Sequence, residues 1–428
     1  MSAKYMPKIK NITSREILDS RGNPTIEAKV VLENGVFGVA SVPSGASTGQ
    51  REAVELRDND SRRFNGKGIL KACQNVEEII APAIIGMEAS DQQAIDQRMI
   101  DLDGTPNKSK LGANAILSVS LAVPRAAATA LNKPLYQYIR ETYQLKLNDY
   151  RLPSPMLNVI NGGKHADNKL DIQEYMMVVS RENISIAEKI RMADEIFWSL
   201  KNILQKKYHY SVMVGDEGGF APALKDNEEA LDILSEAIKE IDYQLGHDLF
   251  FGIDCAASEF FDKKTGQYRF EQKQKTSKEM IDLYRSWLTK YPIISIEDPF
   301  ADDDWETWQE FTDLIKSTTP SINLVGDDLF TTNVNYLQKG IDQSVANTIL
   351  IKLNQIGTLT ETINCINLAK INNYKIIISH RSGETTDAFI ADLAVAVNAD
   401  FIKAGAPSRG ERVAKYNRLM EIEKELES

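Results

Sequence analysis

The chain has 428 residues, of which 43% are hydrophobic, 8% aromatic and 26% charged, and it is longer than one hydrophobic core supports. Fifty Lys and Arg against sixty-one Asp and Glu give a formal charge of -11. That balance argues against direct nucleic-acid binding and against docking on an anionic membrane. Cys73, Cys255 and Cys365 form no C-x-x-C pair, and no apolar run behind a basic segment starts the chain. Both features predict a cytoplasmic protein without an export signal.

The opening residues read as β. Residues 17–24 close in the turn cluster Ser20-Arg21-Gly22-Asn23-Pro24, and residues 25–32 alternate apolar and polar side chains. Asn34-Gly35 tolerates positive φ, so residues 36–42 are predicted to return as a hairpin strand. Helical patterns follow at 69–85, 90–100 and 113–138, the last predicted to break or kink at Pro124. The apolar part of that last pattern holds Pro124 and Arg125 at its centre, which predicts a buried helix rather than a membrane span. Strands followed by helices predict a compact α+β domain over residues 1–140, with 141–150 as the polar connection into a second domain, 141–428.

That second part alternates. Residues 156–160 and 172–180 are strand-like, and 184–208 form a long helical pattern. Short apolar runs at 210–215, 249–253, 293–296, 322–325, 348–351 and 375–379 then alternate with amphipathic helices, and a last run stands at 401–402. Thr276 with Glu279 and Thr358 with Glu361 fit capping boxes. With no Gly-x-Gly-x-x-Gly behind any strand, the pattern predicts an α/β fold whose C-terminal part is a closed TIM-like barrel.

The residues at the C-terminal end of each run carry the chemistry. Asp216-Glu217 stands after the first, Asp254 after the second, Glu297 after the third and Asp327 after the fourth; Lys352, His380-Arg381-Ser382 and Lys403 stand after the rest. In a parallel barrel all strand ends open on one mouth, and Lys and Arg are poor helix caps, so a shared site is predicted over a row of capping residues. Asp254, Glu297 and Asp327 form an all-oxygen set suited to Mg²⁺ or Mn²⁺; the competing reading is an ion-pair network with Lys352, Lys403 and Arg381. Arg381 and Ser382 suit a phosphate or carboxylate. Lys352, expected to be desolvated beside other cations, suits a general base with a lowered pKa, and Glu217 the matching acid. His165, Gln173 and Glu174 form a second group, and the small-residue loop 44–49, with Ser47 in it, suits a closing lid.

The segments 15–25, 44–49, 161–165, 173–174, 215–219, 254–259, 295–300, 352–357 and 379–384 together resemble the enolase family. The resemblance implies a small N-terminal α+β domain on a ββαα(βα)₆ barrel. It also implies reversible dehydration of 2-phospho-D-glycerate to phosphoenolpyruvate with two Mg²⁺ ions, the second binding with substrate. By position, Lys352 would take the C2 proton and Glu217 would assist loss of the C3 hydroxyl. Asp254, Glu297 and Asp327 would hold the first ion and Ser47 the second. Arg381 and Ser382 would meet the phosphate, Lys403 the substrate carboxylate, and His165, Gln173, Glu174 and His380 the rest of the substrate. A homodimer is the implied assembly, with an octamer, a surface-bound fraction and attachment to an RNA-degrading complex left open. Two other readings compete: a superfamily relative acting on acids without phosphate, and a scaffold that keeps only the fold. The loop 44–49, Glu217 and Arg381-Ser382 weigh against the first, and the retained Lys352, Glu217 and metal carboxylates against the second.

Overall fold

The computed structural model describes residues 6–45, 51–181, 183–209 and 213–427. The chain opens with an antiparallel sheet of β1 (Ile9–Leu18), β2 (Pro24–Leu32) and β3 (Phe37–Ser41). On β2 the alternation places Ile26, Ala28, Val30 and Leu32 in the core, as the period-two geometry of a strand requires. The helix Ala113–Leu131 packs across β2 and β3. The approach is so close that a Cβ on Gly38 would lie 2.2 Å from the Ala122 carbonyl oxygen. That helix is long and apolar enough to cross a membrane, but most of it is buried within the fold.

Pro124 does not break this helix. It runs on to Leu131, and the break comes where Asn132 takes φ +54° and Pro134 caps the next helix, Leu135–Thr142. A proline at position 124 leaves the Ser120 carbonyl without its usual helical donor. Gln92 supplies one, donating from Nε2 to Ser120 O at 2.9 Å. A tertiary hydrogen bond thus replaces the local one, and the helix continues where a break was one of the two expected outcomes.

The remainder closes into an eight-stranded barrel: β4 (Ser154–Asn161), β5 (Glu174–Val179), β6 (Leu249–Asp254), β7 (Ile293–Glu297), β8 (Asn323–Gly326), β9 (Thr348–Ile351), β10 (Lys375–Ser379) and β11 (Phe401–Lys403). The strands are neighbours in chain order, and β11 pairs back onto β4. β5 pairs antiparallel to both β4 and β6, while the other pairs are parallel. Reversal of β5 has a chemical result: its first residue, Glu174, sits at the mouth to which the other strands bring their last. Two helices, Ile186–Tyr208 and Asn227–Glu240, separate β5 from β6. The architecture is therefore ββαα(βα)₆ beneath a small α+β layer.

Two further expectations change. Residues 210–212 of the run at 210–215 lie outside the described residues, and among the described ones the run supplies no barrel strand, Val214 making an isolated bridge to Phe220. Thr276 and Glu279 form the full capping box, whereas at Thr358 only the threonine half forms. Glu361 accepts from the Thr358 hydroxyl at Oε2, 2.6 Å, and pairs through Oε1 with Lys108 of the N-terminal layer, whose Nζ lies 2.9 Å away.

Candidate active site

Register builds the site. Asp254 is the Cα partner of Glu174 on one side and of Glu297 on the other, so three acids line up across β5, β6 and β7. Lys403, at the end of β11, extends into this row and is buried. Its Nζ lies 2.9 Å from Asp254 Oδ2, 2.9 Å from Glu297 Oε2 and 3.1 Å from Glu174 Oε2. Burial opposes the Lys403 charge, but Asp254, Glu174 and Glu297 outweigh it and hold the ammonium well above its ordinary pKa. Burial and the Asp254 charge push Glu297 well above the carboxylate range. Three carboxyls crowded round one ammonium repel one another as anions, and a hard divalent cation on this oxygen set is the group that would let them ionise together. The donor chemistry fits Mg²⁺.

Asp327, just past β8, is turned toward a different set. Lys352 Nζ contacts its Oδ2, and Gln355 Nε2 donates to Oδ1 at 2.9 Å. Asp298 and Asp328 bring carboxylate oxygens within 4.8 Å of that of Asp327. Asp298, at φ +40°, accepts the backbone N–H of Asp327 at 3.0 Å and of Asp328 at 2.7 Å. Burial, with the Asp327 charge, pushes Asp328 up to about 7. Lys352 itself carries the sign opposite to the sequence expectation. Burial lowers its pKa, but Asp327 overcomes burial and raises it above the ordinary lysine value. A paired ammonium is not yet a base.

Glu217 arrives on the loop Gly215–Gly219 rather than at a strand end. Asn158 Nδ2 donates to its Oε2 at 2.9 Å, His380 Nε2 stands 3.2 Å from the same oxygen, and His165 Nδ1 lies 3.7 Å from Oε1. Burial works against the Glu217 charge, but His380, His165 and Arg412 together hold it well below the carboxylate range. Glu174 goes the other way, driven well above that range by burial and by Glu217. His165, Glu174 and Glu217 have ligand atoms within 4.8 Å of one another. Burial lowers the pKa of both histidines, His380 to about 3.

Arg381 is engaged. Its Nη1 donates to Glu52 Oε2 at 2.9 Å and to Asn354 Oδ1 at 3.2 Å. The backbone of Gly45 passes so close that a Cβ there would lie 2.1 Å from Nη2. Gln173 and Ser382 line the same pocket as Lys352, Glu217, Asp254, Asp327, Arg381 and Lys403. Glu297 lies beneath Lys403, and Ser47, with most of its loop, is outside the described residues. Glu52, Asn158, Asp298 and Arg412 were not among the residues singled out from sequence. Asn158 points inward from mid-strand, and Glu52 meets Arg381 across 329 positions, so neither carries a local signal.

Comparison with protein-family models matches the enolase N-terminal domain over residues 9–139 and the enolase C-terminal TIM barrel domain over residues 149–428. Lyases of this kind carry their chemistry at the barrel mouth, where Lys352, Glu217, Lys403 and the acids converge here. Matched over nearly its whole length, and folded as a closed barrel with one reversed strand, the chain belongs to the enolase family.

Proposed function

We propose that the chain catalyses reversible dehydration of 2-phospho-D-glycerate to phosphoenolpyruvate, the glycolytic and gluconeogenic step, in the cytoplasm and as a homodimer or octamer. One observation carries the reading. A single pocket is lined by an amine, Lys352, an acid pair, Glu174 and Glu217, oxygen donors for a cation, Asp254 and Asp327, and an anion fork, Arg381.

A proton beside a carboxylate is very weakly acidic, because its removal adds charge to a group already ionised. Lys352 Nζ is the proton acceptor at C2, and it serves once its contact with Asp327 is given up. Asp254, Glu297 and Asp327 would hold a first Mg²⁺ and Ser47 would serve a second, and the ions would supply positive charge against the substrate carboxylate. Lys403, kept charged by its three acids, adds fixed charge in the same place. Arg381 exchanges Glu52 for the phosphate, with Ser382 beside it. The C3 hydroxyl leaves as water, taking a proton from the Glu174–Glu217 pair, in which burial and the Glu217 charge raise Glu174 while Glu217 is lowered. His165, Gln173 and His380 complete the substrate contacts.

The test is the ultraviolet absorbance of phosphoenolpyruvate after mixing purified protein with 2-phosphoglycerate. Absorbance should grow with Mg²⁺, stop on chelation and return when Mg²⁺ is restored. No growth under any metal, or growth indifferent to chelator, overturns the proposal.

A further inference from the structure

Arg412 lies at the start of the helix Gly410–Glu427, has no exposed surface and stands behind the pocket lining rather than in it. Its Nη1 stands 2.7 Å from His380 Nδ1 and donates to the Arg381 carbonyl at 2.7 Å. Its Nη2 donates to the carbonyls of Asp216 at 2.9 Å and Ser382 at 2.5 Å. The chain makes room for it: a Cβ on Gly405 (φ +85°) would lie 2.8 Å from Arg412 Cδ and 2.7 Å from the Glu217 carbonyl.

A guanidinium donates and never accepts, and it keeps its proton at any working pH. The ring nitrogen it faces must therefore be the bare one. His380 Nδ1 accepts from Arg412, so the single ring proton of the neutral imidazole sits on Nε2, the nitrogen 3.2 Å from Glu217 Oε2. In this structure Nε2 is buried and makes no aligned hydrogen bond. It is left as a donor directed at Glu217 or at a bound ligand.

We propose that Arg412 is a positioning residue that locks His380 in the Nε2–H tautomer, giving Glu217 a neutral, obligate donor, while its second nitrogen ties down the loops carrying Glu217, Arg381 and Ser382. The catalytic consequence rests on the dehydration reading; the tautomer does not. Without this lock His380 could present a bare Nε2 to Glu217, two acceptors facing each other in a buried site.

The experiment is ¹⁵N nuclear magnetic resonance of histidine-labelled full-length protein at pH 7. The chain has four histidines, and the His380→Asn variant assigns the signal. The wild-type spectrum should show His380 as Nε2–H alone. Arg412→Gln, whose amide can turn to accept, should show a mixture of tautomers, and kcat should fall about 10- to 100-fold with KM changed less. Arg412→Lys, which still only donates, should restore the Nε2–H pattern. A wild-type Nδ1–H or imidazolium signal overturns the proposal even if no variant folds. An unchanged His380 pattern in Arg412→Gln also overturns it. Lack of dehydration by the wild-type protein would fault the functional reading and leave the tautomer result standing.

Discussion

Glu52 and Arg381 stand 329 positions apart and meet as a buried pair, with Nη1 donating to Oε2 at 2.9 Å and Nη2 to Oε1 at 3.3 Å. A carboxylate thereby takes the fork that the proposed function gives to a phosphate. Glu52→Gln removes the charge and keeps the shape. It should tighten inorganic phosphate binding severalfold, read by isothermal titration calorimetry. It should also cost roughly 3 kcal/mol of stability, as expected when one partner of a buried pair is neutralised. Unchanged phosphate affinity would show that Glu52 does not compete.

The roles of Lys352 and Glu217 separate by isotope exchange. Lys352→Ala should abolish exchange of the C2 proton of 2-phosphoglycerate with deuterium in the solvent. Glu217→Gln should stop water loss and leave appreciable exchange. Equal loss of both reactions in both variants would contradict the division of labour.

Gln92 and Pro124 form a coupled pair through Ser120. Gln92→Leu strips the Ser120 carbonyl of its donor and should cost about 1–3 kcal/mol in urea unfolding. Pro124→Ala returns a backbone N–H to the same carbonyl, so it should recover more stability in the Gln92→Leu background than in wild type. Strict additivity of the two changes would refute the coupling.

Asp96 makes stability depend on pH. It is fully buried, accepts from Thr360 N at 3.0 Å and Oγ1 at 2.6 Å, and burial raises its pKa from 3.8 to about 6. A raised carboxyl binds its proton more tightly when folded, so its contribution is greatest below pH 3.8 and is lost as pH rises toward 6 and beyond. Between pH 5 and 7.5 wild type should lose about 1 kcal/mol more than Asp96→Asn. Parallel urea midpoints for the two proteins over that interval would refute it.

Much of the architecture could be read from the chain because it is written in local pattern. The barrel strands at 249–254, 293–297 and 348–351 are short apolar runs that end in an ionisable residue or stand next to one, and the strand period and the helix caps act over a few residues. The run at 210–215 has the same look, and periodicity cannot tell that the next residues fold back onto β4, with Phe220 N donating to Val159 O at 2.8 Å. At Pro124 the local rule is sound and a distant glutamine overrides it.

The amino-acid order by itself determined that Asp254, Glu297, Lys352 and Lys403 reach the mouth, because a strand end carries its own residue there, whereas Glu52 and Asp298 come to the site only through the fold. Only the folded molecule decided how those groups are charged. Lys352 is raised by Asp327, Glu217 is shifted down while Glu174 is shifted up, and His380 takes its proton on one nitrogen because Arg412 faces the other. Electrostatic interaction falls with distance through space, not with distance along the chain, and burial lowers the local dielectric that sets its strength.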